Sequence, residues 1–452
     1  MRRHADPPRI ARLPQRAREG LVFAAVAAGA MAVLTMWWLD TPASSLADLG
    51  SKLTAAGRIT GLLGTYLVLI EVVLMGRIAW LDRLIGMDRL AVWHRRNGEY
   101  AIWLLVAHTV LTIWGYAVAD HTGVVHETGT VLLSYPDVLA ATFALGLLIM
   151  IGVVSARAAR RRLRFETWYF IHLYTYLAIA LSFAHQLATG NDFIAHPANR
   201  ILWVAFYVLS LGLLVTYRAV VPVRNAFRHR LRVASVVEEA PGVVSIYVTG
   251  RRLEELRAEA GQFFLWRFLT REGWWQAHPF SLSAVPNPDW LRIMVKTAGD
   301  FTAHLQSIPP GTRVIAEGPY GAFTEARRIR RRVLLVGGGV GIAPLRSLME
   351  SLSGRPGDIT VLYRARRRED LAFREEIDAL ALRRGARVHY LVGSRRKAAN
   401  SFDPAALRTL VPKIASHDVY LCGPPAMKVQ AIAGLRAAGV PRRHIHVEAF
   451  EL

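Results

Sequence analysis

Six uninterrupted apolar runs, at 21–39, 59–76, 100–118, 138–156, 167–189 and 201–217, constrain this chain more than any other feature of its sequence. Each holds 17 to 23 residues, and Glu71 is the only formal charge inside them. A bilayer core of about 30 Å is crossed by about 20 helical residues, so every run is long enough to span one. One such run could be a core helix, but six in succession could not all be buried in a single soluble core. The Lys and Arg counts then set an orientation. Residues 2–18, 77–98 and 156–166 carry 6, 5 and 5 of them, and the alternating segments 40–58, 119–136 and 190–200 carry 2, 0 and 1. Positive loops stay inside, so the sequence predicts six spans in the plasma (inner) membrane with both termini cytoplasmic. The net charge of +22 follows this topology and gives no reason to expect a nucleic-acid partner. Residues 1–20 read as a basic cytoplasmic tail. Because Trp37-Trp38-Leu39-Asp40 offers no small-residue cleavage site, 21–39 reads as a retained span and not a signal peptide.

Four histidines lie on two of these segments, His94 and His108 with the third run and His172 and His185 with the fifth. Ionisable groups at membrane depth are costly and mark function by default. Any one of them could simply bond a neighbouring helix. Together they suit axial ligands of two stacked b-type haems, because spacings of 14 and 13 residues separate the members of each pair by about 20 Å along a helix. The 14-residue step returns to within about 40° of the same face, but the 13-residue step misses by about 140° and demands a bulge, a curved helix or tilted haem planes. His121, beyond the apolar run and beside Asp120, reads as an outer-loop residue. The single cysteine, Cys422, excludes disulfides within the chain, Cys-ligated iron–sulfur clusters and a multi-Cys zinc site.

After residue 217 the apolar stretches shorten to strand length. The basic linker 218–229 is expected on the inner membrane surface. Strands are expected at 231–237, 243–248, 263–268, 291–297 and 313–317, a small antiparallel barrel. From residue 332 strands alternate with helices, at 333–336, 359–363, 387–392 and 419–422, a doubly wound nucleotide-binding layout. Gly337, Gly338, Gly339, Gly341 and Pro344 follow the first of these strands and open a helix, where backbone amides and the helix dipole can hold a pyrophosphate.

These motifs, taken in order, resemble the ferric reductase and NADPH oxidase superfamily over 58–450. His278, Pro279, Phe280 and Ser281 resemble its flavin motif, which implies that Phe280 packs on the isoalloxazine and Ser281 approaches its ring nitrogens. Gly299 and Thr302 resemble the turn against the FAD pyrophosphate, and Cys422, Gly423 and Pro424, with Met427, resemble the nicotinamide-side motif. Glu448 and Phe450 resemble the terminal pair in which the aromatic covers the flavin. The resemblance pairs His94 with His172 and His108 with His185, and it places Arg58 near the outer haem, where it would offset propionates. An interfacial Arg with its head in the headgroups is the plainer reading. Thr112 stands where many oxygen-reducing members carry a further histidine, which argues against a dedicated oxygen site.

The resemblance thus implies a multidomain fold: a six-helix transmembrane haem-binding bundle (21–221), a cytoplasmic antiparallel FAD barrel of ferredoxin-reductase type (228–325) and a doubly wound NAD(P)-binding domain (331–452). Arg364, Arg366, Ser394 and Arg395 follow the strands that face the adenine ribose and suit a 2′-phosphate, so NADPH is expected, with NADH possible. The implied function is electron transfer from NAD(P)H through FAD and two haems, with Ser281, Cys422 and Phe450 at the reacting flavin. The outer acceptor would be ferric chelate, with oxygen or a periplasmic or extracellular partner protein as alternatives. A haem-dependent membrane sensor is the rival from another class.

Overall fold

The computed structural model describes residues 15–156, 162–163, 165–194, 196–271, 273–393 and 402–448. The chain divides into two compact units, one formed by Pro14–Ile78 and Arg89–Arg218 and the other by Ala79–Asp88 with Ala219–Leu452.

The first unit is helical. Its long helices are α1 (Gln15–Leu39), α2 (Leu49–Leu74), α4 (Met87–Ala119), α6 (Val138–Ser155), α7 (Phe165–Thr189) and α8 (Pro197–Val215), with a shorter α5 (Val124–Ser134) between α4 and α6. Among the described residues, five helices are long and apolar enough to cross a membrane, by length and composition: α1, α2, α4, α6 and the stretch Pro197–His229. α7 matches them in length but carries His172, His185 and Gln186. Leu62, Tyr66, Leu69 and Val72 of α2 pack with Val33 and Met36 of α1, Ile179 of α7, and Trp203 and Tyr207 of α8.

Polar side chains tie these helices together. Tyr66 donates its hydroxyl to the Val26 carbonyl (2.8 Å), Trp37 Nε1 donates to Ala55 O (3.1 Å), and Gln186 Oε1 accepts from Trp203 Nε1 (2.8 Å) and the Tyr207 hydroxyl (3.0 Å). In a bilayer each such bond contributes about 0.6 kcal/mol. Two glycines on α2 let α4 come close. A Cβ at Gly57 would stand 2.5 Å from Thr112 Oγ1, and one at Gly61 would stand 2.6 Å from His108 Nδ1. With Gly64 they form a small-residue stripe on α2, legible in the sequence as a helix-packing face.

The second unit begins with a segment that the apolar pattern assigns to an inner loop. Helix α3 (Ala79–Ile85) buries Leu81, Asp82 and Ile85, Asp82 Oδ2 accepts the Gly321 backbone N–H (2.5 Å), and Arg327 donates to Ile85 O (3.2 Å). Residues 218–229, expected as a linker on the membrane surface, are helical. A π-helical turn (Thr216–Val220) leads into α9 (Val221–His229), which carries Pro222 at its start, where a missing N–H costs nothing.

Six strands follow: β1 (Arg232–Ala240), β2 (Val243–Thr249), β3 (Phe263–Phe268), β4 (His278–Ser281), β5 (Trp290–Lys296) and β6 (Val314–Tyr320). They form two antiparallel sheets, β1-β2-β5 and β4-β3-β6, whose edges meet at the bridges Leu282↔Ile293 and Arg232↔Arg313. Ile246, Phe264, Trp266, Leu282 and Ile293 fill the space between. β4 escapes a hydrophobicity reading because His-Pro-Phe-Ser has no alternating pattern.

Beyond residue 331 a five-stranded parallel sheet has the order β11-β10-β7-β8-β9, from β7 (Arg332–Gly338), β8 (Ile359–Ala365), β9 (Arg387–Val392), β10 (His417–Cys422) and β11 (Ile445–Glu448). Helices α10 (Ile342–Ser351), α11 (Arg374–Arg384), α12 (Pro404–Leu410) and α13 (Pro425–Ala437) complete it. The four strands expected here are present, and the short β11 is added. After β9 the chain returns to the other side of β7, so the strand order reverses between β7 and β10. That is where parallel sheets open a ligand crevice.

Candidate functional site

In the helical unit, α4 and α7 bring the four histidines together in two pairs. The ring centroids of His94 and His172 are 5.9 Å apart with planes at 74°, and those of His108 and His185 are 6.5 Å apart with planes at 54°. These are the pairs expected from depth. α7 is continuous from Phe165 to Thr189, so the 13-residue step is accommodated without a bulge. Two imidazoles on opposite sides of one metal ion, with bonds of about 2 Å, hold their centroids about 6 Å apart. Both pairs fit that span.

Each ring nitrogen Nδ1 faces a different group. His108 Nδ1 lies 2.8 Å from Gly57 O, His185 Nδ1 lies 2.9 Å from Thr189 Oγ1, and His172 Nδ1 lies 3.5 Å from Ser155 Oγ, which itself accepts from Trp168 Nε1. His94 Nδ1 meets the carboxylate of Glu71. A histidine whose Nδ1–H points to a partner presents Nε2 as its ligating atom. Thr112 turns its hydroxyl against Gly57, where it is buried without a hydrogen bond among the described residues. Arg58 is held by Asp192, through Nε to Oδ2 (3.1 Å) and an Nη2–Oδ1 ion pair, and Asp192 is 3 % exposed. Asp192 is 134 residues away, with no local pattern to announce it.

In the second unit the flavin-motif residues lie on β4, paired with β3 from Phe263↔Ser281 to Trp266↔His278. Trp266 Nε1 donates to Phe280 O (3.0 Å) and fixes the strand. The Phe280 ring is half-buried. His278 stacks on Phe301 with centroids 4.0 Å apart, and burial pushes its imidazole below the usual range. Ser281 is 4 % exposed and its hydroxyl has no hydrogen-bond partner among the described residues. A buried hydroxyl left open beside a half-exposed aromatic is the kind of cradle a ring heteroatom completes. The Thr302 hydroxyl, in the turn expected against the FAD pyrophosphate, closes that turn: it accepts from the N–H groups of Ala298 (2.8 Å) and Gly299 (3.1 Å) and donates to Gly299 O (2.9 Å).

The dinucleotide motifs meet at the reversal of strand order. Gly337 on β7 pairs with Cys422 on β10, and Glu448 on β11 pairs with Cys422 from the other side. Gly339 adopts φ +55°, a left-handed conformation that favours glycine. A Cβ on Gly341 would stand 2.3 Å from Cys422 O, and one on Gly338 would stand 2.3 Å from Met427 Sδ. The turn therefore lies directly against the Cys422-Gly423 backbone, and Pro344 sits buried in the first turn of α10. The Cys422 side chain is fully buried. Arg364 donates to Leu391 O (3.3 Å) and Gly393 O (3.0 Å) at the end of β9, and Arg366 is exposed. Ser394, Arg395 and Phe450 lie outside the described residues.

An ionic network not anticipated from sequence, with two buried arginines on a half-exposed carboxylate, lies just past the flavin motif. The Ser283 carbonyl, two residues past Ser281, accepts from Arg292 (3.1 Å) and Arg346 (3.4 Å). Both guanidiniums also bond the Glu376 carboxylate, Arg292 at 2.7 and 2.9 Å and Arg346 at 2.7 Å. Burial alone would raise the Glu376 pKa, but the hydrogen bonds and charge of Arg292, together with Arg346, outweigh it and hold the carboxyl below its usual range.

Three family models match the chain in sequence order. Residues 60–183 match the ferric reductase like transmembrane component, 233–324 an FAD-binding domain, and 335–432 the oxidoreductase NAD-binding domain. The first match contains His94, His108 and His172 and stops two residues short of His185. Ferredoxin–NADP reductase B of Sorangium cellulosum is 32% identical over 178 residues, 36% of this chain and 71% of that protein. The ferredoxin reductase component of 3-ketosteroid-9-alpha-monooxygenase from Mycolicibacterium smegmatis is 30% identical over 235 residues, and the reductase component of propane 2-monooxygenase from Mycolicibacterium goodii is 31% identical over 190. They align with 49% and 38% of this chain, which spans 65% and 53% of their lengths. Among solved structures, the FAD/NAD-binding domain of nitric oxide dioxygenase from Vibrio cholerae covers 48% of this chain and 97% of its own, with a TM-score of 0.40 and 23% identity.

Proposed function

This chain belongs to the ferric reductase and NADPH oxidase superfamily, with its ferric-reductase-like membrane domain and its FAD- and NAD-binding domains in one polypeptide, and on that premise we propose that it carries electrons from cytoplasmic NADPH to an acceptor on the outer face, ferric chelate in preference to oxygen. Two bis-histidine b-type haems lie on the path, within six spans and with both termini inside. The observation that carries this reading is the pair of histidine separations, 5.9 and 6.5 Å, each suited to one iron.

The bound flavin supplies conversion of a hydride into single electrons, and the haems supply one-electron relay. The chain's own part is placement. His94 with His172, and His108 with His185, would each hold one haem iron between two imidazoles. Phe280 would pack on the flavin ring, and the open Ser281 hydroxyl would bond a ring heteroatom. The turn Gly337–Gly341 would lay its amides along the dinucleotide, with Cys422, Gly423 and Pro424 bordering the nicotinamide. The Arg292–Glu376–Arg346 network holds the segment just past Ser281, through Ser283 O, to helices α10 and α11.

Preference for ferric chelate rests on Thr112, whose hydroxyl turns toward Gly57. In inverted vesicles given NADPH outside, ferric chelate in the lumen is expected to be reduced at a rate little changed by superoxide dismutase. Stoichiometric superoxide with no direct ferric reduction would return the protein to the oxidase reading.

A further inference from the structure

Glu71 is the one formal charge within the six apolar runs, and the haem reading leaves it without a task. Its Oε2 meets His94 Nδ1, a nitrogen that makes no regular hydrogen bond elsewhere among the described residues. Asn97, one turn after His94, donates Nδ2 both to Glu71 Oε1 and to Leu67 O, the latter at 2.9 Å, and so fixes the carboxylate on α2. Gly98 lies alongside, where a Cβ would stand 3.4 Å from Glu71 Oε2, an ordinary contact. The carboxylate is 12 % exposed and the imidazole 26 %.

The other three histidines face neutral partners: a backbone carbonyl for His108 and hydroxyls for His185 and His172. The two pairs are identical in ligand type, so what differs between them is the group behind the ligand. A carboxylate behind an imidazole raises its basicity and stabilises the more positive oxidation state of the metal it holds.

Resting on the haem assignment above, we infer that Glu71 is a positioning residue that orients His94 and makes the inner site the weaker electron acceptor of the two. One-electron transfer outward, from the His94–His172 site to the His108–His185 site, is then downhill by construction. No proton or further reactant is needed, because one site is oxidised as the other is reduced.

The test is an optical redox titration of the full-length haem-loaded protein, resolved into two one-electron waves. The wave that survives in His108→Leu is assigned to the inner site. Glu71→Gln is expected to raise the inner wave by the equivalent of a tenfold change in its reduction equilibrium, about 59 mV for one electron, and to leave the outer wave in place. Glu71→Asp keeps the charge but withdraws it from Nδ1, so it should behave like the Gln variant if contact is what matters. An Asp variant indistinguishable from wild type, beside a shifted Gln variant, would overturn the positioning role in favour of a through-space charge.

Two haems with both waves unmoved in Glu71→Gln would overturn the inference and leave the haem assignment standing. A wild-type protein without two haems would sink both. If Glu71→Gln loses both haems, Asn97→Ala decides, because it leaves Glu71 in the chain and removes the donor that fixes its carboxylate. A shifted inner wave supports the role, and an unmoved wave overturns it.

Discussion

The two units build their sites from different materials. In the helical unit the groups proposed to hold a cofactor are four side chains, each on a regular helix and each with an identifiable partner behind it. In the strand-rich unit the dinucleotide turn is mostly backbone: Gly339 in a left-handed conformation, Gly341 against the Cys422 carbonyl, Gly338 under Met427. The difference predicts where each unit is fragile. A site made of side chains fails when one ligand is removed and keeps its fold, whereas a site made of backbone tolerates side-chain changes and fails when a side chain is added.

The largest effect is expected for His172→Leu. Removing one axial ligand should lower the haem content from two to one per chain by pyridine haemochrome and abolish transmembrane electron transfer. NADPH-dependent reduction of a soluble dye should be unaffected, since no residue of the flavin or dinucleotide motifs belongs to that unit. Retention of both haems would break the comparison at its first term. The converse change is Gly341→Ala. Its Cβ would fall 2.3 Å from Cys422 O, and backbone must move to relieve it. Displacing a cofactor-positioning element by about an ångström costs about 100-fold in rate, so dye reduction should fall by about that much with haem content unchanged.

How much of this was legible in the sequence divides along the same line. The spans and the four histidines are written in local composition, and the glycine turn follows an apolar strand, so both were readable before any contact was known. The residues behind them were not. Asp192 behind Arg58, Glu376 behind Arg292 and Asp82 beneath Gly321 are long-range partners whose carboxylates look like ordinary surface charges one at a time. α3 was hidden because seven residues between two apolar runs read as a loop, and β4 because a proline and a histidine break its alternation. The stripe Gly57, Gly61, Gly64 was a readable signal for the α2–α4 contact, at the spacing small residues need on one helix face.

Ser281 and Cys422 sharpen the contrast within the second unit. If the open Ser281 hydroxyl bonds the flavin, Ser281→Ala removes a bond of about 1.5 kcal/mol and should slow flavin reduction about tenfold, with FAD still bound. Cys422→Ala should act more weakly, slowing flavin reduction by more than it weakens nucleotide binding, because the fully buried thiol borders the turn and the backbone beside it does the holding. Stopped-flow flavin bleaching with a nucleotide titration separates the two effects. A Cys422→Ala variant that binds nucleotide poorly but reduces normally would contradict the assignment.

The smallest effect concerns pH and stability in the strand-rich unit. Asp418 is fully buried on β10 and accepts the N–H groups of Ile329 (2.5 Å) and Arg330 (2.7 Å) and Nδ1 of His444 (2.7 Å), with His446 3.8 Å away. Burial alone would raise its pKa. The hydrogen bonds outweigh that and hold it at about 2, below its ordinary 3.8. A carboxyl depressed in the folded state adds stability that is present above the unfolded pKa and lost as pH falls through the folded one. The contribution is about 2 kcal/mol near neutrality. It should decline below about pH 4 and vanish near pH 2. Asp418→Asn should therefore lower the temperature of FAD release by about 5 °C at pH 7, and its gap from wild type should close as the pH is taken from 4 towards 2. The haem absorbance of the helical unit should show no matching difference between the two proteins. A gap that stays constant down to pH 2.5 would mean that Asp418 acts through its shape and not its charge.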